Sequence, residues 1–369
     1  MPTTETTLEH DALEKQACAA CGGEGEWDPS RQALICVFCG TVSPVEVDPE
    51  SGAVREIDLV RVLREIPDGG RGWESERRSV RCRSCHSVSV FDPGQIGKNC
   101  DFCGSTQLVD YDEVKAPIRP DSLLPFRIDD DTARAQARNW LRGRWFAPSS
   151  LKKKALDALR GTYLPYWTFD AQVFCPWTAE AGFYHYTTQT VRDSRGKTST
   201  RRVRHTKWKP VRGVIEHFFD DLPVPGTRGV DRNLLSRVEP FPVHELMPYE
   251  PEYLAGFLVE HYRVVLIDAF VQAKERMGGE LSKLCAREVP GDTHRNLVIE
   301  PEFSGQTFKH ILVPVWLAGF RFRKKAYQIL VNGCTGEVAG RYPRSWRKIL
   351  LTVLGVGAAV ALAVLLLNA

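Results

Sequence analysis

After about residue 124 the chain contains several segments typical of strands, and one of them, 183–191, alternates between apolar and polar residues, the period of a half-buried strand. Alternating segments, and short runs rich in aromatic and β-branched residues, predict strands at these positions: 163–176, 183–191, 198–208, 297–300, 308–323, 327–331 and 337–340. The second and third of these enclose a turn at 193–197 and predict a long hairpin. The segment Leu164-Pro165-Tyr166-Trp167 resembles Val313-Pro314-Val315-Trp316, and each precedes an apolar strand and a hairpin, which suggests a diverged duplication.

Helical spacing of apolar residues is found in fewer places. Asp131 and Ser149 are candidate N-caps for helices that reach about Leu141 and Arg160. A helical region is predicted to begin at 253–257 and to continue over 262–288, with a break or kink at the glycine pair 278–279. Strands and helices together predict an α+β domain over 124–343 in which most strands are antiparallel.

The last part of the chain has a different pattern. Residues Ile349 to Leu367 are 19 consecutive uncharged, mostly apolar residues, about 28 Å of helix at ~1.5 Å per residue. We predict a transmembrane helix over 349–367, although a buried core helix has the same composition. Arg341, Arg344, Arg347 and Lys348 precede it, so the positive-inside rule predicts a single-pass protein of the cell inner membrane with its globular part in the cytoplasm.

Eight of the 11 cysteines form two matched quartets. The quartets are Cys18, Cys21, Cys36 and Cys39, and Cys82, Cys85, Cys100 and Cys103. Both follow the pattern C-x2-C-x14-C-x2-C, and each ligand of the second lies 64 positions after its counterpart in the first. The same offset relates Phe38-Cys39-Gly40 to Phe102-Cys103-Gly104. The repeat predicts two tandem zinc ribbons, at 14–45 and 78–109, with linkers at 46–77 and 110–123.

The spacing has a chemical meaning. Each Cys-x-x-Cys turn points two sulfurs at one point, and two such turns complete a tetrahedral site with Zn–S distances near ~2.3 Å. Four thiolates leave no position for water or substrate, so we expect two structural Zn²⁺ ions. Redox-active Cys-x-x-Cys pairs and iron–sulfur ligation are the alternative interpretations. Cys175, Cys285 and Cys334 stand apart and are predicted to be small buried apolar residues.

The net charge of +3 conceals an uneven distribution of charge. Residues 1–60 hold twelve acidic residues against Lys15, Arg31 and Arg55, so the first ribbon should repel phosphate. The second ribbon and the hairpin at 192–212 are basic. That hairpin fits nucleic acid, anionic lipid headgroups, or simply a solvated edge that resists aggregation.

No catalytic set is evident. The histidines are scattered, and the triplet Gly196-Lys197-Thr198 lacks the glycine at position 191 that a phosphate-binding loop requires. We therefore expect a protein that is not an enzyme.

Several motifs resemble those of one bacterial family. They are the two ribbons, Pro251-Glu252-Tyr253-Leu254-Ala255-Gly256-Phe257, Val313-Pro314-Val315-Trp316, Val331-Asn332-Gly333-Cys334-Thr335-Gly336-Glu337 and the terminal helix. Over nearly the whole chain they resemble the membrane proteins called TFIIB-type zinc-ribbon-containing proteins. These are often labelled as relatives of the primosomal helicase PriA, but this chain lacks the helicase nucleotide-binding motif. The resemblance implies membrane partners of the SPFH (flotillin-like) or phage-shock-protein-A type.

The leading expectation is a non-enzymatic, membrane-anchored zinc adaptor whose ribbons recruit a protein partner at the lipid bilayer. The alternative is a nucleic-acid-binding membrane protein that uses the second ribbon and the basic hairpin.

Overall fold

The computed structural model describes residues 17–18, 20–43, 56–65, 78–84, 87–91, 100, 102–103, 105, 108–110, 118–148, 155–192, 198–322 and 325–368. Its helices are α1 (Leu59–Glu65), α2 (Asp130–Arg142), α3 (Arg232–Val238), α4 (Leu266–Glu288) and α5 (Trp346–Asn368), with 3₁₀ turns at Val243–Glu245 and Pro251–Leu254. Its strands are β1 (Gly25–Asp28), β2 (Ala33–Cys36), β3 (Val42–Ser43), β4 (Ile57–Asp58), β5 (Arg78–Cys82), β6 (Val88–Phe91), β7 (Leu108–Asp110), β8 (Ser122–Leu123), β9 (Leu159–Arg192), β10 (Thr198–Pro225), β11 (Met247–Pro248), β12 (Leu258–Glu260), β13 (Thr293–Ile299), β14 (Glu302–Phe322), β15 (Lys325–Asn332) and β16 (Val338–Gly340).

Strands β1, β2 and β3 form a small sheet in the first ribbon, and the other thirteen join one large, mostly antiparallel sheet. Its centre is the antiparallel pair β9 and β14, which runs from Leu159 opposite Ala318 to Phe174 opposite Glu302 with a shift of register between Ser304 and Thr307. Residues 308–320 of β14 are all buried, because both faces of the strand pack into the core. A strand covered on both faces has a continuous apolar run rather than an alternating one.

The two similar tetrapeptides lie side by side at this centre. Leu164 of β9 pairs with Val313 of β14, which is its own counterpart in the repeat. Two antiparallel copies of one segment adopt this register only when a local twofold axis passes through the matched pair. The structure therefore relates the two halves of the domain by an approximate twofold axis at Leu164 and Val313.

Contacts around the axis are reciprocal. The indole N–H of Trp167 donates to the carbonyl of Val264, and that of Trp316 donates to the carbonyl of Ile128, both at 2.8 Å. These carbonyls belong to equivalent residues, because each lies one position before the N-cap of a helix, α4 or α2. Each tryptophan thus fixes the helix start of the other copy.

A glycine after each return strand binds its own copy through its N–H and the other copy through its carbonyl. The N–H of Gly226 donates to Pro165 and that of Gly333 donates to Pro314, at 2.8 and 2.9 Å. The Gly226 carbonyl accepts from the backbone N–H groups at 263 and 264, and the Gly333 carbonyl accepts from those at 127 and 128.

The short strands complete the repeat. β8 runs parallel to β14 at 311–312, and β12 runs parallel to β9 at 162–163, the equivalent positions. Each copy is therefore a short strand, a helix, a long strand and a return strand, covering 122–225 and 258–332.

Helix α4 packs on β9 through one stripe of buried residues. The stripe consists of Leu266, Ala269, Ala273, Met277, Leu281 and Cys285. It packs against the odd-numbered residues of β9 from Phe169 to Ala179. The break predicted at Gly278-Gly279 is wrong, because the helix and its buried stripe continue across the pair.

Three other predicted elements also differ. Strands 163–176 and 183–191 are one 34-residue strand, β9, which starts at Leu159, so no helix extends to Arg160. Residues 149–154 of that predicted helix lie outside the described residues. The helical region predicted at 253–257 is a 3₁₀ turn followed by strand β12.

The predicted fold class is wrong in its terminal element. Among the residues that the structure describes, no helix combines the length and the apolar character needed to cross a membrane. A span requires about 20 consecutive apolar residues. The predicted transmembrane helix at 349–367 is corrected accordingly, and so are the single-pass inner-membrane location and the cytoplasmic orientation that followed from it.

We predict that Trp167→Phe and Trp316→Phe each lower the free energy of unfolding by about 1–3 kcal/mol. Each removes an N–H donor from a carbonyl at the start of a helix, which is buried at Val264 and partly buried at Ile128. Chemical denaturation monitored by circular dichroism measures the change. Trp346→Phe is the control, because Trp346 is exposed and its replacement should change stability by less than about 0.5 kcal/mol. Equal effects in all three variants would contradict the reciprocal arrangement.

Candidate metal centres

The first quartet converges on one point. The sulfurs of Cys18, Cys21, Cys36 and Cys39 all lie within 4.8 Å of one another. Two of the distances, Cys18 to Cys39 and Cys21 to Cys36, are 3.5 Å. A tetrahedron with metal–sulfur bonds of ~2.3 Å has edges of about 3.8 Å. The four sulfurs therefore have the separation that a tetrahedral thiolate site requires, and they are too far apart to be disulfides.

The backbone of each turn explains this convergence. The N–H of Cys18 donates to the carbonyl of Gly23, and that of Cys36 donates to Thr41, at 2.7 and 2.9 Å. Gly22 and Gly40 have φ angles of +69° and +72°, a region that residues with a Cβ rarely adopt. The glycines allow the chain to fold back and direct both cysteines of a turn to the same point.

Nearby hydrogen bonds favour the thiolate form at two of these positions. The Thr41 hydroxyl lies 3.1 Å from the sulfur of Cys39, and together with the backbone N–H of Thr41 it lowers the pKa of Cys39 to about 6. The N–H of Ala20 donates to the sulfur of Cys18 and lowers the pKa of that thiol. Thiolates are the form of cysteine that binds metal.

The second quartet is described in part. The sulfurs of Cys82, Cys100 and Cys103 lie within 4.8 Å of one another, with Cys82 and Cys103 3.7 Å apart. Cys85, the fourth predicted ligand, lies outside the described residues. The N–H of Cys82 donates to Ser87 and that of Cys100 to Ser105, which repeats the bond of the first ribbon at the same spacing. Two groups of cysteines in this chain can therefore hold metal ions.

The first ribbon is attached to the body by its central residues. Trp27 and Leu34 are buried in the same core cluster as Phe126 and Tyr253. The Trp27 indole and the Gln32 amide both donate to the carbonyl of Phe126, at 3.4 and 2.8 Å. This side of the ribbon is fixed, and the cysteine turn at 36–40 points away from it.

The second ribbon is attached through its second turn. Phe102 is 1% exposed and packs in a core cluster of the body. The side-chain amide of Gln328 donates to the carbonyl of Phe102 at 2.6 Å and to that of Gly229 at 2.7 Å. A Cβ at position 229 would come within 3.0 Å of the Phe102 ring and 2.8 Å of Ser87, so glycine makes room for the ribbon.

The repeat places Phe38 and Phe102 at equivalent positions, yet their surroundings are opposite. Phe38 is 72% exposed, and its neighbour Val37 is 54% exposed. Phe102 fills a pocket of the body, so an aromatic residue at this position of the turn can act as an anchor. Phe38 presents the same side chain largely to solvent, with one side of its ring against Gly23.

Two buried ionisable groups could not be predicted from the sequence. The Lys309 ammonium is 2.6 Å from Asp221 and within 3.9 Å of Asp170 and Glu56. Burial lowers the pKa of Lys309, but the carboxylates of Asp221, Asp170 and Glu56 together outweigh this and raise it overall. The cluster connects β4, β9, β10 and β14. Its members are scattered along the chain, so no local motif indicated it.

Glu260 is the second such group, and it lies beside the second ribbon. It is fully buried, and burial raises the pKa of its carboxyl to about 8. The Thr227 hydroxyl donates to it at 2.6 Å. An isolated acidic residue in an apolar segment gave no signal of this role.

Cys175 and Cys285 are buried, as predicted, and their sulfurs lie 3.9 Å apart between β9 and α4. Cys334 is only partly buried.

Comparison with known proteins shows a distant similarity along nearly the whole chain. No protein-family profile matches the chain, and no solved structure matches it. A protein of Bacillus subtilis (strain 168) described as "Uncharacterized protein YdjG" is 21% identical over 354 residues, which covers 95% of this chain and 96% of that protein. The similarity extends over both ribbons and the body, and the description of that relative names no activity.

We predict that Phe102→Ala lowers the free energy of unfolding by about 3–5 kcal/mol, because it empties a filled pocket. Phe38→Ala is the matched control at the equivalent position and should change it by less than about 0.5 kcal/mol. Thermal and denaturant unfolding of the two purified variants give the comparison. A large loss of stability in Phe38→Ala would show that this ring is covered.

Proposed function

We propose that the chain is a non-enzymatic zinc adaptor in which two structural Zn²⁺ ions hold the ribbons and the first ribbon captures a protein partner. Cys18, Cys21, Cys36 and Cys39 would bind one ion, and Cys82, Cys85, Cys100 and Cys103 the other. Four thiolates per ion leave no open coordination position, so the metal serves folding rather than catalysis. Small ribbons have little core of their own, and metal binding supplies much of their folding free energy.

The observation that carries the proposal is the exposed turn of the first ribbon. Val37, Phe38 and Val42 are 54%, 72% and 46% exposed on a unit whose opposite side is anchored to the body. An exposed aromatic residue on a rigid support is typical of an anchor that fills a partner's pocket. The rigid support comes from the metal and from Trp27, so little conformational entropy is lost on binding.

The acidic sequence on either side of this turn suggests the chemistry of the partner. Residues 1–60 hold twelve acidic residues and three basic ones, and Glu24 and Glu26 lie on the first ribbon itself. A partner with an apolar pocket and a basic rim is therefore favoured, and nucleic acid is not. The family resemblance makes SPFH and phage-shock-protein-A-like proteins the first candidates.

We expect elemental analysis of the purified protein to give two zinc ions per chain. The double variants Cys18→Ser/Cys21→Ser and Cys82→Ser/Cys85→Ser should each retain one, because each removes half of one site. Cys334→Ala is the control and should retain both. Iron with a visible charge-transfer absorption, or a chain without bound metal, would reject the zinc assignment.

We expect Phe38→Ser to abolish capture of the partner while the zinc content and the melting temperature stay unchanged. Trp145→Ser, which alters an aromatic residue that is 67% exposed elsewhere on the body, is the matched control. Proteins recovered by the wild type and by Trp145→Ser but not by Phe38→Ser are purified, and their dissociation constants are measured by calorimetry. Equal affinities of the wild type and Phe38→Ser for every such protein would reject the proposal.

A further inference from the structure

The hairpin of β9 and β10 extends beyond the body. The two strands pair from Tyr166 opposite Pro225 to Arg192 opposite Thr198. Helix α4 covers the odd-numbered face of β9 as far as Ala179. We name residues 180–190 with 198–212 the basic ribbon. From position 183 onward its described side chains on β9 are exposed or only partly buried.

The charge of the basic ribbon has one sign. Residues 198–212 contain six cations and no carboxylate: Arg201, Arg202, Arg204, Lys207, Lys209 and Arg212. The one acidic residue of the β9 side is Glu180, which accepts hydrogen bonds from Arg295 at 2.6 Å and Asn296 at 2.8 Å. Its charge is therefore compensated, and the surface attracts anions.

Aromatic rings alternate with these cations on one face. The Arg202 guanidinium lies 4.3 Å from the ring centre of Tyr186, and that of Arg204 lies 4.3 Å from Tyr184. Arg295 of β13 lies 4.1 Å from the ring centre of Trp208 in the same way.

The cross-strand register places these stacks in one row. Trp208 pairs with Gly182, Thr206 with Tyr184 and Arg204 with Tyr186, and directly opposed residues share a face. Successive stacks are thus two residues apart, about 6.8 Å along the strands. At its base the row reaches a groove of about 440 Å³ that Thr178, Arg212 and Asn296 help to line.

A solvated edge would account for the charge but not for the rings. Solubility requires charged side chains alone, and exposed aromatic residues work against it. Tyr186 is 52% exposed although it lies next to an arginine. These arginine–aromatic stacks form a row of planar, positively charged groups. Such a row suits a ligand in which flat groups and negative charges repeat at regular intervals.

We propose that this row binds single-stranded nucleic acid. The guanidinium groups of Arg202 and Arg204, with the rings beneath them, stack with unpaired bases and neutralise the neighbouring phosphates, and Arg212 on the same face adds a further positive charge. An exposed sheet face with two or three aromatic residues is a recurrent way to bind unstacked bases. A duplex conceals the faces of its bases, so it would use the charge of the ribbon without its rings.

The test uses the full chain with zinc bound and a fluorescent 12-nucleotide oligothymidylate, measured by anisotropy at low salt. We expect Arg202→Gln/Arg204→Gln to weaken binding at least tenfold and to reduce the salt slope by about 1.4, the value for two phosphate contacts on a single strand. Arg138→Gln/Arg142→Gln, an exposed pair on α2 with the same change in charge, should bind like the wild type.

Two further measurements separate stacking from charge. Arg202→Lys/Arg204→Lys keeps the charge but loses the planar groups, so it should retain the salt slope and still lose at least threefold in affinity. A duplex, poly-glutamate and vesicles with anionic headgroups, matched in charge concentration, should each compete less well than the single strand.

The proposal is overturned if the oligonucleotide does not bind at low salt, or if the α2 control loses as much affinity as the ribbon variant. It is also overturned if the lysine variant binds like the wild type, or if any of the three competitors matches the single strand. None of these results depends on Phe38, so the adaptor proposal is tested separately.

Discussion

The body of this protein depends on the pairing of β9 with β14 at Leu164 and Val313. Because the pairing joins two copies of one segment, each contact made by one copy recurs in the other. Trp167 and Trp316 bind carbonyls at the start of the opposite helix, and the glycines at 226 and 333 accept from the same two turns. The carbonyls at the start of each helix and after each return strand are satisfied by the other copy, which makes the two halves a single folding unit.

The two cysteine ribbons are attached to this body in different ways. Both have the same hydrogen-bonded turns, which already position the cysteines. The rest of each ribbon's sequence can therefore differ in how it attaches to the body. The second ribbon joins the large sheet beside β12 and inserts Phe102 into the core. The first is anchored through Trp27 and leaves Phe38 outside. Duplication followed by different attachment gives one ribbon a structural role and frees the equivalent surface of the other.

Local sequence determined which of these features could be predicted. The cysteine spacing fixes the turns because each closes within five residues, and the matched tetrapeptides already suggested a repeat. Phe38-Cys39-Gly40 and Phe102-Cys103-Gly104 are identical, however, so nothing local distinguishes the exposed ring from the buried one. That difference depends on Gln328 and Gly229, more than a hundred residues from Phe102. The cluster of Lys309, Asp170, Asp221 and Glu56 was missed for the same reason. The transmembrane helix at 349–367 was predicted from apolar composition alone, and that prediction was wrong.

The basic ribbon can extend from the body because its base is fixed and its own side chains stabilise the rest. An isolated hairpin is marginally stable in water, because it has no second layer to bury its apolar surface. Here the base of the ribbon is a continuation of β9 and β10, already fixed by α4 through Cys175, Trp177 and Ala179. Beyond that base, stacked arginines over Tyr184 and Tyr186 replace core packing, each contributing about 0.5–1 kcal/mol at an exposed site. The groups that stabilise the ribbon are thus the ones that remain available on its surface, so its stability and its capacity to bind a planar anion have one origin.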